Sequence, residues 1–289
     1  MQSPMFKVYV LNLPSASRRL KLISELLSFL NLDYRVIAAV DGREWLEQTK
    51  ITPFSKILYK KLSPGEVGCF LSHRKAWEII SKGEEKFGLV LEDDAVFGEK
   101  LKQFLLSLEK KELSFDVLHF EDVGKRDSSF ITTLTSEKKI SGVTIFRLLS
   151  PAISTGALVI SRKGAEKLLS LTSSMIEPAD EILFNIYSPL YGELEIYQTS
   201  EILAWQSYQL DSEIREAVPS TIKKGKVNRK SLGALFHGLN KLLLKGFYLL
   251  NLSLLKDKKT VTMTKNEKER EELARLYLKY IKKVGTYES

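Results

Sequence analysis

Apolar residues over the first two hundred positions follow two rhythms, short solid runs and longer stretches at three- and four-residue steps, and the two alternate. Residues 8–13 and 34–39 are solid runs, and between them Leu20, Ile23, Leu27 and Leu30 recur at helical spacing. This predicts a strand-helix-strand opening, closed by the turn-forming pair Asp41 and Gly42. Ser63-Pro64-Gly65-Glu66 spells a helix start: a serine cap, proline at the first helical position, and glutamate three residues after the cap. That helix is predicted to reach about residue 81. A strand follows at 87–91, a helix at 99–108 and a strand at 115–120. Residues 143–148 and 157–160 read as strands around a loop, and 162–171 and 178–187 read as helices. From residue 8 to about 206 the alternation predicts one α/β layer with a mainly parallel central sheet and a few mixed strands.

The last third has another pattern. Across 231–255 a broad helical face carries Leu232, Leu235, Phe236, Leu239, Leu242, Leu243, Phe247 and Leu250, interrupted by Asn240, Lys241 and Lys245. The interruptions argue against a membrane span. The expected division is therefore a catalytic-type α/β domain at 1–210 and a basic, largely helical extension at 211–289.

Composition adds compartment and surface. With 289 residues, 44% of them hydrophobic, the chain can bury a full core, which excludes a disordered protein. The single cysteine, Cys69, excludes an intramolecular disulfide and argues against a structural zinc site; its apolar neighbours make it a packing thiol. Met1 to Pro4 lead into the first strand without a basic lead and apolar helix, so the expected location is cytoplasmic. Net charge is +8, and residues 222–263 hold ten Lys or Arg against one acid, Asp257. That stretch fits an interfacial segment resting on an anionic leaflet; the plainer alternative is a core-packed helix with solvated basic flanks. No aromatic residues interleave with the basic ones in a stacking pattern, so nucleic acid is not an expected partner.

Glu92, Asp93 and Asp94 end the apolar run 87–91 with three consecutive carboxylates. At the carboxyl edge of a parallel sheet such groups face the ligand crevice and repel one another unless a cation sits among them. Oxygen-only ligands suit Mg²⁺ or Mn²⁺ shared with a substrate diphosphate. An acidic turn ahead of the next helix would place the same residue types there without any metal.

An ordered set of motifs resembles glycosyltransferase family 25. It comprises residues 8–13 with Arg18 and Arg19, 39–42, the run 62–69 with Leu71-Ser72-His73 and Ala76-Trp77, Leu91-Glu92-Asp93-Asp94, and Thr155-Gly156. The resemblance implies a GT-A-like, Rossmann-related fold, a UDP-sugar donor, a divalent metal, inversion at the anomeric carbon and, in bacterial members, a lipid-linked saccharide acceptor. By similarity to DXD-type sites, Asp94 and Glu92 are the expected metal ligands and Asp93 a ribose ligand. Asn12, Arg18 and Asp41 fall where a nucleotide crosses the first strands, with Arg18 preferred over Arg19 for phosphate and Asp41 for uracil or ribose. His73 is expected to contact the donor or order the site, and Thr155 and Gly156 to line the donor-sugar or acceptor pocket. Asp180, with Glu181 as fallback, is the expected base; a helix start there would keep the carboxylate ionised. His119 and His237 are weaker candidates. The competing classes are a metal-dependent phosphohydrolase and a noncatalytic saccharide- or membrane-binding protein.

Overall fold

The computed structural model of the protein describes residues 6–124, 127–218 and 232–286. The N-terminal residues Met1 to Pro4 and the basic residues Lys223, Lys224, Lys226, Arg229 and Lys230 lie outside them. In chain order the elements are β1 (Lys7–Asn12), α1 (Ser17–Phe29), β2 (Tyr34–Ala38), α2 (Gly42–Thr49), β3 (Phe54–Ser55), β4 (Lys60–Lys61), α3 (Pro64–Ser81), β5 (Phe87–Glu92), β6 (Ala95–Phe97) and α4 (Glu99–Glu109). Then come β7 (Val117–His119), β8 (Ser129–Thr133), β9 (Lys138–Ile140), β10 (Val143–Arg147), β11 (Ala157–Ser161), α5 (Arg162–Leu171) and α6 (Ala179–Phe184). The chain continues through β12 (Ile196–Thr199), β13 (Ala204–Gln206), α7 (Ser212–Ala217), α8 (Leu232–Leu254), β14 (Lys258–Thr262) and α9 (Glu267–Thr286).

Eight strands form one sheet in the order β2-β1-β5-β11-β7-β12-β10-β9. β2, β1 and β5 are parallel neighbours, as are β7 and β12, while β10 and β11 run against the rest. The sheet is thus mainly parallel in strand direction, the Rossmann-related α/β architecture expected. β1 leads to β2 on one side and pairs with β5 on the other, which makes the carboxyl ends of β1 and β5 a topological switch point. β5 is a central strand with Leu89, Val90 and Leu91 fully buried, which is why its apolar run has no alternation.

The capping box at Ser63 forms as the residues dictate. Glu66 accepts from the Ser63 backbone N–H at 2.9 Å, and Ser63 Oγ accepts from the Glu66 N–H at 3.3 Å. This fixes the start of α3, which packs on α5 and α2. α6 stops at Phe184, short of the predicted residue 187, because Asn185 turns extended and its side-chain oxygen accepts from the Tyr187 N–H at 2.8 Å.

Among the described residues beyond 210 the elements are the helices α7, α8 and α9 and the strand β14, and they are held differently. β14 pairs antiparallel with β8, and α9 packs on α1 and buries Leu273, Tyr277 and Val284 in the same core as the sheet. α8 spans the predicted helix but leaves most of its leucines in solvent.

Candidate functional site

A cleft of about 330 Å³ opens at the switch point, lined by the end of β1, the start of α1, the β2–α2 turn, the first turns of α3 and the end of β5. Two close backbone approaches shape one wall. A Cβ on Gly42 would lie 1.8 Å from the Pro64 carbonyl oxygen, and one on Gly68 would lie 2.5 Å from that of Val40. Only glycine lets the α2 turn press against α3 in this way. Ser72 fastens the contact: its Oγ accepts from the Val40 N–H at 2.8 Å and donates to the Gly68 carbonyl at 2.6 Å. Asp41 caps α2 by accepting from the Arg43 N–H at 2.8 Å, and it lines the cleft.

The three carboxylates line the far side, and each has a different environment. Glu92 Oε1 accepts from Thr155 Oγ1 at 2.9 Å and lies 3.2 Å from His73 Nε2. Burial opposes its ionisation, but His73, Thr155 and Arg19 prevail and hold its pKa below the ordinary range. Asp93 accepts from Asn12 Nδ2 at 2.7 Å and pairs with Arg19 at 2.6 Å. Asp94 pairs with the same Arg19 guanidinium nitrogen at 2.7 Å, and its Oδ1 is buried without a hydrogen-bond partner. Burial raises the Asp94 pKa, Arg19 opposes it, and the charges of Glu92 and Asp93 add to the rise, leaving it at about 7.

A cation does sit among the acids, and it is a side chain. Arg19 lines the cleft and bridges Asp93 and Asp94, whereas Arg18, the arginine preferred from sequence, is not among the cleft-lining residues. One residue along a helix turns a side chain by about 100°, and the apolar spacing of α1 did not settle which arginine faces inward. The donor type fits a hard divalent cation: Asp94 Oδ1 is buried without a hydrogen-bond partner, and Glu92, at the end of β5, lines the same cleft. A second donor set shares Glu92, since ligand atoms of Cys69, His73 and Glu92 lie within 4.8 Å of one another. Cys69 is thus a cleft-wall residue as well as a packed thiol; burial and the charges of Glu92 and Asp180 push its pKa well up.

Asn12 is a support: buried, it ties Asp93 to the Ala16 carbonyl through its amide. Thr155 is likewise buried and orients Glu92, and the Gly156 carbonyl accepts from the Glu92 N–H at 2.8 Å. Asp180 does not line the cleft, yet its charge reaches Cys69 and that of Glu92 reaches it. Its pKa is raised to about 6 by burial and by Glu181, the reverse of the expected helix-start effect, because α6 is a single buried turn and a half. Glu181 accepts from the amide of Asn185, just past the end of its helix. His119 is buried against Gln198, with Nδ1 2.5 Å from its Oε1, and His237 stacks on Tyr59; neither lines the cleft.

Three contributors were not read from sequence. Gln206, on β13, lines the cleft and donates to Ser154 Oγ at 2.9 Å. Glu121, just past β7, accepts from the Ala157 N–H at 3.0 Å, and burial raises its pKa to about 8. Tyr277 of α9 is close enough to Asp94 and Arg19 to feel both charges. All three reach the site through strand order and long-range packing, which no local pattern encodes.

The model of glycosyltransferase family 25 (LPS biosynthesis protein) matches residues 5–183. The chain belongs to this family. As a family 25 glycosyltransferase it is similar to the lipooligosaccharide biosynthesis protein lic2B of Haemophilus influenzae, 29% identical over 215 residues that cover 70% of this chain and 76% of that protein. It is also similar to procollagen galactosyltransferase 1-A of Xenopus laevis, 30% identical over 69% of this chain and 34% of that longer protein. Among solved structures, the glycosyltransferase GlyE of Streptococcus pneumoniae TIGR4 aligns with a TM-score of 0.38 and 12% identity, over 96% of this chain and 60% of that one.

Proposed function

We propose that this family 25 glycosyltransferase moves a hexose, galactose or glucose, from a UDP-sugar to a lipid-linked saccharide with inversion, as in lipooligosaccharide or lipopolysaccharide assembly. The observation that carries the reading is the carboxylate group at the end of β5, lining a cleft at the sheet's switch point beside an arginine. Arg19 and the α2 turn supply the donors and acceptors that a nucleoside diphosphate needs: a guanidinium for phosphate and Asp41 for ring or ribose groups. A Mg²⁺ or Mn²⁺ ion held by Asp94 and Glu92 would supply charge stabilisation for the departing diphosphate.

The remaining chemistry belongs to the protein. The bond from the anomeric carbon to the phosphate oxygen breaks as the acceptor oxygen bonds that carbon from the opposite face, and the acceptor's hydroxyl proton passes to a carboxylate. Asp180, with a pKa of about 6, is mostly ionised at neutral pH and still basic enough to take that proton, with Glu181 beside it as the alternate. Contact of residues 222–263 with an anionic leaflet would keep the enzyme where lipid-linked acceptors reside, at the cytoplasmic face of the inner membrane.

A thermal-unfolding screen of UDP-glucose, UDP-galactose and their N-acetyl forms, with and without Mn²⁺, tests donor and metal together, since a ligand bound to the native state raises its stability. One donor is expected to stabilise the protein in the presence of metal. Asp94→Asn is expected to keep the fold and lose about 10²–10³-fold in turnover. Undiminished transfer in excess chelator would remove the metal from the mechanism.

A further inference from the structure

α8 is mounted the wrong way round for an ordinary surface helix. His237, Lys241, Leu244, Tyr248 and Leu252, spaced four, three, four and four apart, form one side of it. That side meets the protein. His237 stacks on Tyr59 at 5.0 Å between centroids, Lys241 Nζ sits 4.8 Å over the Tyr187 ring, Tyr248 packs edge-on against Tyr191, Leu244 lines a groove beside α3, and Leu252 is buried. The opposite side carries Leu239, Leu242, Leu243, Phe247, Leu250 and Leu254, and it faces solvent. Leu242, Phe247 and Leu254 are 68%, 65% and 70% exposed. The polar and aromatic side is thus seated, while the leucine side is bare from Leu239 to Leu254, a length of about 23 Å. Phe54, itself exposed, packs edge-on against Tyr59 and extends the apolar surface from the helix to the β3–β4 hairpin. An apolar face of this extent requires a cover.

Charge selects the cover. α8 carries no acid; Lys241 is seated on Tyr187, Lys245 is exposed, and Lys256 and Lys258 lie exposed just beyond the end of the helix. Five further basic residues precede it in the chain between 223 and 230. A second copy laid face to face would set like charges together, whereas an anionic lipid surface complements them. No helix among the described residues is long and apolar enough to cross a membrane, so the geometry is that of a helix lying in the interface.

We infer that α8 is an in-plane membrane helix, seated on the enzyme by its His237–Lys241–Tyr248 side and giving its leucine face to an anionic leaflet. Lys241 also feels the charge of Glu181, which places α8 beside α6 and turns the Asp180 end of the site toward the headgroups. This orientation rests on the proposed acceptor role of Asp180; the docking itself does not.

The test is flotation of the full chain with vesicles of equal parts phosphatidylcholine and phosphatidylglycerol, and with phosphatidylcholine alone. Strong flotation is expected only with the mixed vesicles, weakening in high salt. Leu243→Glu combined with Phe247→Glu is expected to cut the bound fraction at least about tenfold while circular dichroism and thermal unfolding stay unchanged, since both side chains are in solvent. Hydrogen exchange on the vesicles reports the face, with protection expected in α8 and the β3–β4 hairpin; protection centred on the β2 edge would overturn the orientation. Absence of wild-type flotation, or equal flotation by the double variant, overturns the docking whether or not the variant folds well. A dimer without vesicles that the double substitution dissolves, together with no flotation, would assign the face to a second copy. Donor binding in the thermal screen is independent of these outcomes, so its failure would remove the proposed chemistry and leave the docking standing.

Discussion

At the scale of single residues, the site is a balance of buried charge in which Arg19 holds two carboxylates. Removing one partner of a buried pair leaves the other uncompensated, so Arg19→Ala is expected to cost about 3–5 kcal/mol in urea unfolding. Added Mn²⁺ is expected to recover part of that loss, because a cation among the acids then replaces the guanidinium. Glu121 offers a pH signature for the metal-free protein, its pKa raised by burial with the charges of Glu92 and Asp94 adding to the rise. A carboxyl with a raised folded-state pKa stabilises the fold fully below its unfolded pKa and progressively less as pH climbs to the folded value. For Glu121 that window runs from 4.5 to about 8. His119 acts oppositely: its pKa, lowered to about 4, takes stability away as pH falls from 6.5. Thermal unfolding of Glu121→Gln is therefore expected to lose less stability than the wild type between pH 6.5 and 8. The carboxylate triplet itself was legible from sequence, since three acids ending an apolar run are unmistakable. The choice of Arg19 over Arg18 was not, because it depends on the rotation of α1 against a strand that comes some sixty residues later.

At the scale of elements, the cleft depends on α2 and α3 touching through glycine. Gly68→Ala places a methyl 2.5 Å from a backbone oxygen that cannot swing aside, so the two helices must separate. The expected cost is about 1–3 kcal/mol of stability, together with a higher KM for the donor, checked by urea titration and by initial rates against donor concentration. α3 was readable to its first residue because a capping box and an N1 proline are local signals. α2, β12 and β13 were not anticipated: short elements of mixed polarity owe their form to the partners they pair with rather than to their own periodicity. α6 was overextended for a local reason: the Asn185 side chain accepts from the Tyr187 N–H and turns the chain out of the helix.

At the scale of the whole molecule, the C-terminal segment divides into a part that belongs to the core and a part laid on its surface. Tyr277→Ala in α9 is expected to cost about 3–5 kcal/mol, as befits a large side chain buried in the sheet's own core, and to lower thermal stability far more than any exposed leucine of α8 changed to alanine. Calorimetry of the two kinds of variant separates these roles. The alternation of strands and helices, the start of α3, the acidic strand end and the family motifs were all determined by the sequence alone, because each arises from the spacing of neighbouring residues. Tertiary structure alone decided which cation bridges the acids, which distant side chains close the cleft and which side of α8 is left bare. Those outcomes depend on sheet order and helix rotation, which are set by the packing of the whole core at once and leave no trace in the spacing of nearby residues.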